Sequence, residues 1–141
     1  MPATYRVDVT NRVVWTRFWG RVTVDEMAAH ALRLRADPRF DPAGRQLLMF
    51  VDADPALITL DGVRYIAGIT GWEAGSRRAL VIRTKVGLGL GRQFALMTGR
   101  PPEEVATFLD VADALAWLGL PPDWEPPAAS PDDPVFEIPQ S

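Results

Sequence analysis

The chain has no cysteine, one histidine and one lysine among 141 residues. The absence of cysteine excludes a disulfide framework and thiol chemistry, and nothing suggests an oxidising compartment. The lone histidine, His30, has no Ser-His or Cys-His arrangement around it, which argues against hydrolase chemistry built on a histidine base. No uncharged apolar run approaches the roughly 20 residues of a membrane span. The N-terminus also lacks an apolar core of signal-peptide length, so a cytoplasmic protein is expected. A concentrated basic surface is missing too. Net charge is −3, and five acids with no base lie within residues 120–141, leaving residues 1–119 close to neutral. Nucleic-acid binding is therefore not expected.

What the chain does hold is an apolar fraction of 48% and a charged fraction of 23%, the balance of one globular domain with a real core. The domain is expected over residues 1–119. Seven of the 13 prolines fall between 121 and 139. Residues 120–141 thus read as an acidic, proline-rich tail that cannot build a core of its own, flexible or docked through Val135-Phe136-Glu137-Ile138.

The middle of the chain organises the rest. Leu47 to Val51 is a continuous apolar run, as in a strand buried on both faces. Asp52-Ala-Asp54-Pro55 is expected to stop it, since proline cannot donate to a sheet ladder and aspartate favours turns. Thr59 and Asp61 then precede Val63, Ile66 and Ala67 at helical spacing, with Asp61 taken as the helix N-cap.

Upstream, Tyr5–Thr10 alternates and pairs with Val13–Trp19 as a hairpin. A two-residue Asn11-Arg12 turn would set Val9 against Val14, Val7 against Thr16, Tyr5 against Phe18 and Arg6 against Arg17. Thr23-Val-Asp-Glu26 is a capping-box pattern for a helix ending near Ala36, before Asp37-Pro38. Its expected buried stripe is Val24, Met27, Ala28, Ala31 and Leu34 or Arg35. Its wet face is Thr23, Glu26, His30, Arg33 and Asp37. Downstream, Arg78–Arg83 is a further strand. Gly87-x-Gly89-x-Gly91 is read as a tight turn before a helix over Arg92–Met97, because neither the dinucleotide nor the P-loop signature is complete. Glu104–Leu109 is the last strand. Asp110 caps a final helix striped by Val111, Ala114, Leu115 and Leu118 and ended by Gly119.

The resulting order is β-β-α-β-α-β-α-β-α. The opening hairpin running into Thr23–Glu26, the strand ending Val51-Asp52 before Ile58–Gly62, and the close Ala112-Asp-Ala-Leu-Ala-Trp-Leu-Gly119 resemble the SpoIIAA-like, or STAS-like, family of small bacterial domains. The resemblance covers about residues 3–120. It implies a mixed, mostly parallel five-stranded sheet with an antiparallel edge strand and about four helices. It also implies a non-enzymatic regulatory module that works by binding. The family's phosphoserine motif falls on Thr59, Leu60, Asp61 and Gly62. Asp61 replaces the serine and cannot hold a stable phosphoester, which leaves Thr59 as the nearest hydroxyl.

Two functional expectations follow. The first is a protein-binding module, a homodimer or a regulator's partner, that docks through Asp61, Val63, Arg64 and Tyr65 on the second helix. The alternative is a carrier or sensor of a small apolar ligand held near Trp15, Trp19, Phe94 and Met97, with an apolar cavity as its distinguishing feature. Trp15 and Trp19 share one strand face, which is either core or an exposed apolar patch. Asp52, Asp54 and Asp61 lie near one strand end, but turn chemistry accounts for the first two, and neither a metal nor another cofactor is expected.

Overall fold

The computed structural model describes residues 3–131, 133 and 135–136. Its elements are β1 (Ala3–Asp8), β2 (Val13–Arg21), α1 (Val24–Ala36), β3 (Arg45–Asp54), α2 (Leu60–Ile69), β4 (Arg77–Val81), α3 (Lys85–Met97), β5 (Val105–Phe108), α4 (Val111–Leu118) and β6 (Val135–Phe136). The sheet order is β5-β4-β3-β2-β1-β6. Strands β2 to β5 are parallel, and β1 is antiparallel to β2. The expected α/β class with five main strands and four helices is therefore present. A two-residue sixth strand is added by the tail, antiparallel to β1.

Alternation along the strands divides the core into two layers. Val13, Leu47, Ala79 and Val81 face α4, where Ala114, Leu115 and Leu118 cover them. Tyr5, Val14, Phe18, Leu80 and Ile82 face the opposite way, towards α1, α2 and α3. Capping hydroxyls and carboxylates fix the helix starts. Thr23, Thr59, Thr84 and Asp110 each accept a hydrogen bond from the backbone three residues on. Gly119 closes α4 at φ 75°, a left-handed conformation that costs glycine little.

Several local expectations need correction. The hairpin pairs Val7 with Val14, Tyr5 with Thr16 and Ala3 with Phe18, a slide of two residues from the register read in the sequence. A slide of two keeps every side chain on its face, because the side-chain period of a strand is two. The physical cause is Asp8, whose carboxylate accepts from the Asn11 backbone N–H and side-chain amide and so ends the strand early. Arg6 consequently stands opposite Trp15 rather than Arg17, with its guanidinium 5.0 Å from the indole centroid. Val9 is left exposed.

In α1 the buried face is Glu26, Ala28, His30 and Leu34, so Glu26 and His30 lie inside rather than on the wet face, while Arg35 is exposed. Strand β3 does not stop at Asp52. It runs to Asp54, pairing Trp19 with Asp52 and Arg21 with Asp54 after a one-residue bulge. Pro55 ends it instead. Asp61 does not cap α2; Thr59 does, and Asp61 stands exposed in the first turn.

The glycine segment is not a turn. Gly87, Gly89 and Gly91 lie inside α3, which Thr84 caps. A Cβ on Gly87 would meet Ile82 Cγ2 and the Thr84 hydroxyl at 2.6 Å. The absent side chain lets α3 lie close on β4.

The tail returns across the domain. Leu120 is buried against the α4 layer, and Trp124 packs on the same cluster. Trp124 Nε1 donates to Asp8 Oδ2 at 3.0 Å, Arg6 Nη1 donates to the Pro127 carbonyl at 3.0 Å, and Arg39 Nη1 donates to Asp133 Oδ1 at 3.2 Å. Of the proposed docking segment, Val135 and Phe136 add backbone pairing to β1, and Glu137 and Ile138 lie outside the described residues.

Candidate functional site

Between the sheet and α1, α2 and α3 lies a partly enclosed cavity of about 100 Å³. Its floor is the outward row of β2, β3 and β4: Phe18, Leu48, Phe50, Leu80 and Ile82. Met27 and Leu34 from α1, Val63 and Ile66 from α2, and Leu90 and Phe94 from α3 form its walls. Trp72, on the connection from α2 to β4, closes one end with Phe40 set edge-on at 4.8 Å between ring centroids.

Few polar groups reach it. Thr16, His30 and Gln46 form one set at its side. His30 Nε2 lies 3.1 Å from Thr16 Oγ1, and Gln46 Nε2 donates to the same hydroxyl at 3.0 Å. The imidazole is packed edge-on between Tyr5 and Phe18, with centroids 5.4 and 5.3 Å away. Burial pushes His30 down to about 3, so the ring is neutral at physiological pH.

Thr70, Thr84, Arg35 and Arg78 also line the cavity, and of the two arginines Arg35 is exposed and Arg78 buried. Arg78 is 2% exposed, and its guanidinium lies 5.5 Å from the Phe94 ring centroid. Burial lowers it to about 10, aided by repulsion from Arg100 and opposed by Glu104, so it remains a cation at neutral pH. Among the described residues no carboxylate lines the cavity.

The residues singled out from the sequence do not assemble in one place. Phe94 lines the cavity, whereas Met97, at the end of α3, does not. Trp15 and Trp19 are half-buried on the opposite face of the sheet. There Trp15 packs beside the α4 layer, and Arg17 stacks on Trp19 at 4.9 Å. Trp15, Arg17, Met49, Val51 and Asp52 border a shallow depression on that face. In the α2 surface, Asp61, Arg64 and Tyr65 are exposed, but Val63 is buried at 4% exposure and belongs to the cavity wall. Asp52 and Asp54 are each paired with an arginine, Arg17 at 3.2 Å and Arg21 at 3.8 Å.

Among the described residues two carboxylates have displaced ionisation, and both are lowered. For Asp37, burial pulls upward, but hydrogen bonds from Arg39 and Tyr5 outweigh it and bring the group to about 2. For Asp8, burial is likewise outweighed, by hydrogen bonds from Asn11 and Trp124. Neither is a raised carboxyl of the kind suited to general-acid work.

Sequence reasoning missed Arg78, His30 and Trp72. A signal existed for two of them. Arg78 stands in period with Leu80 and Ile82 along β4, and His30 lies one turn from Leu34 and Met27 on α1. Trp72 sits in an irregular connection, where no period applies. The chain matches no family model, no curated protein and no solved structure.

Proposed function

We propose that this chain is a non-enzymatic carrier or sensor of a small apolar molecule, bound between the sheet and helices α1 to α3. The apolar cavity carries the reading. Tight packing is the rule in protein interiors, so a space of this size under three helices is a departure to be accounted for. Its lining suits an apolar guest, and its polar groups suit orientation more than chemistry. The neutral, enclosed imidazole of His30 is engaged with Thr16, and among the described residues no carboxylate lines the cavity itself.

The test is native mass spectrometry of the purified protein beside a denatured run of the same sample. A small mass that disappears on denaturation is the expected result. The reading is overturned if no extra mass is found and saturating apolar probes leave the amide spectrum of the cavity residues unchanged.

A second reading rests on the exposed start of α2. Leu57, Leu60 and Tyr65 are each about half exposed there, beside Asp61 and Arg64. Exposed apolar side chains interleaved with charged ones suit a protein contact. It supports a STAS-like regulatory module acting on a protein partner or on a second copy, with Thr59 occupied as a helix cap and Asp61 in place of a phosphorylatable serine. A dimer mass lost on Tyr65→Asp would favour this reading.

A further inference from the structure

We propose that the cavity selects a small apolar acid, whose carboxylate meets the Arg78 guanidinium while its hydrocarbon lies against Phe94 and Phe50. The inference rests on the carrier reading and specifies the ligand class.

The observation behind it is an uncompensated cation. Arg78 is almost fully buried, yet its Nε has no hydrogen-bond partner among the described residues. No salt bridge to it is found among those residues either. Glu104, the acid whose charge acts on Arg78, is engaged elsewhere: its Oε1 accepts from the Gly75 N–H and lies 3.9 Å from Arg100 Nη1. Arg78 and Arg100 thus share one carboxylate, and the excess charge falls on the buried member. The Phe94 ring offers a cation–π contact, which is worth far less than the loss of hydration.

Ligand chemistry follows from what would remove that cost. A neutral guest fills the space but leaves the guanidinium unpaired. An inorganic anion meets one buried guanidinium among mainly apolar walls, since Arg35 is exposed and bonded to the Ile69 carbonyl and Gln46 donates to Thr16, so little is there to replace its hydration. A monocarboxylic acid with a compact apolar body satisfies both, because guanidinium and carboxylate match in a two-bond fork. The space of about 100 Å³ is smaller than the about 150 Å³ of a cavity that holds benzene, so it suits a short chain, or a single ring that extends into its open side.

The experiment compares isosteric pairs by protein-observed NMR titration: benzoate with benzamide, and hexanoate with hexanamide, with sulfate alone as a further ligand. In the wild-type protein the acid of at least one pair should bind about tenfold or more tightly than its amide, the usual scale for a charge-assisted hydrogen bond. Arg78→Met should reduce that ratio to near one while amide binding persists. The wild-type ratio is decisive even if the variant does not fold. Equal binding of acid and amide in both pairs overturns the acid class and leaves the carrier reading standing. Sulfate shifting the same resonances as strongly as the acids also overturns it, in favour of a simple anion site. Absence of saturable binding by all four organic probes overturns the carrier reading and this inference together.

Discussion

His30 Nε2 and the Thr16 hydroxyl lie 3.1 Å apart, and Gln46 donates to the same hydroxyl from the neighbouring strand. Helix α1 is thereby tied to β2 and β3 by three polar side chains that satisfy one another inside an apolar layer. Such a set fixes the rotation of the helix more sharply than packing alone, since turning α1 by one residue would strand buried polar groups.

The same geometry makes stability depend on pH. The folded-state pKa of His30 is lowered by burial from 6.5 to about 3. Its contribution is therefore fully present above about pH 6.5 and is lost as pH falls towards 3, at up to about 1.4 kcal/mol per pH unit. Asp37, lowered from 3.8 to about 2, adds a loss confined to the acid end of that window. Urea melts between about pH 7.5 and 4.5 should show the wild type losing stability steadily, and His30→Gln a flatter dependence. Parallel curves for the two proteins would place the titration elsewhere.

The cap of α2 separates two residues that look alike in sequence. Thr59 accepts from the Gly62 N–H at 3.0 Å, whereas the Asp61 side chain is 95% exposed and reaches only Arg64 at 3.4 Å. Thr59→Ala should cost about 1 kcal/mol, and Thr59→Ser much less. Asp61→Ala should change stability by less than about 0.5 kcal/mol. Denaturant midpoints would check both, and a larger loss at Asp61 would return the capping role to it.

Glycines of α3 should respond in opposite directions. Gly87 has no room, because a Cβ would meet a branch of Ile82 and the cap hydroxyl of Thr84, whereas nothing lies within 4 Å of a Cβ at Gly89. Gly89→Ala should stabilise by about 0.5–1 kcal/mol through helix propensity. Gly87→Ala should destabilise by about 1–3 kcal/mol through overpacking. Thermal melts of the pair give the comparison, and a gain at both positions would contradict the close approach of α3 to β4.

Trp124 tests whether the tail belongs to the folded unit. Its ring packs on the α4 layer, and its Nε1 donates to Asp8 at 3.0 Å. Trp124→Phe should cost about 1 kcal/mol for the bond, and Trp124→Ala about 2 kcal/mol through lost apolar contact. Denaturant unfolding followed by tryptophan fluorescence would measure both. Near-neutral values would mean that residues beyond Leu120 contribute little.

The sequence by itself determined the element order, the α/β class and most helix ends. Those depend on local chemistry: Thr23 before its helix, Asp110 and Gly119 around α4, and apolar runs at Leu47–Val51 and Ala79–Ile82. It also determined which residues share a strand face, because alternation survives a two-residue slide. The hairpin register turned on a local bond, Asp8 closing the loop on Asn11, which only the folded structure distinguished from the shorter turn. Tertiary structure also decided that the glycines of 87–91 lie in a helix, because their value is the close approach to Ile82, a residue outside the helix. The candidate site was hidden for the same reason. Arg78, His30 and Phe94 come from a strand and two separate helices, and no spacing along the chain reports that three helices leave a space above β3 and β4. Trp15 and Phe94 looked like partners in sequence, but they lie on opposite faces of the sheet.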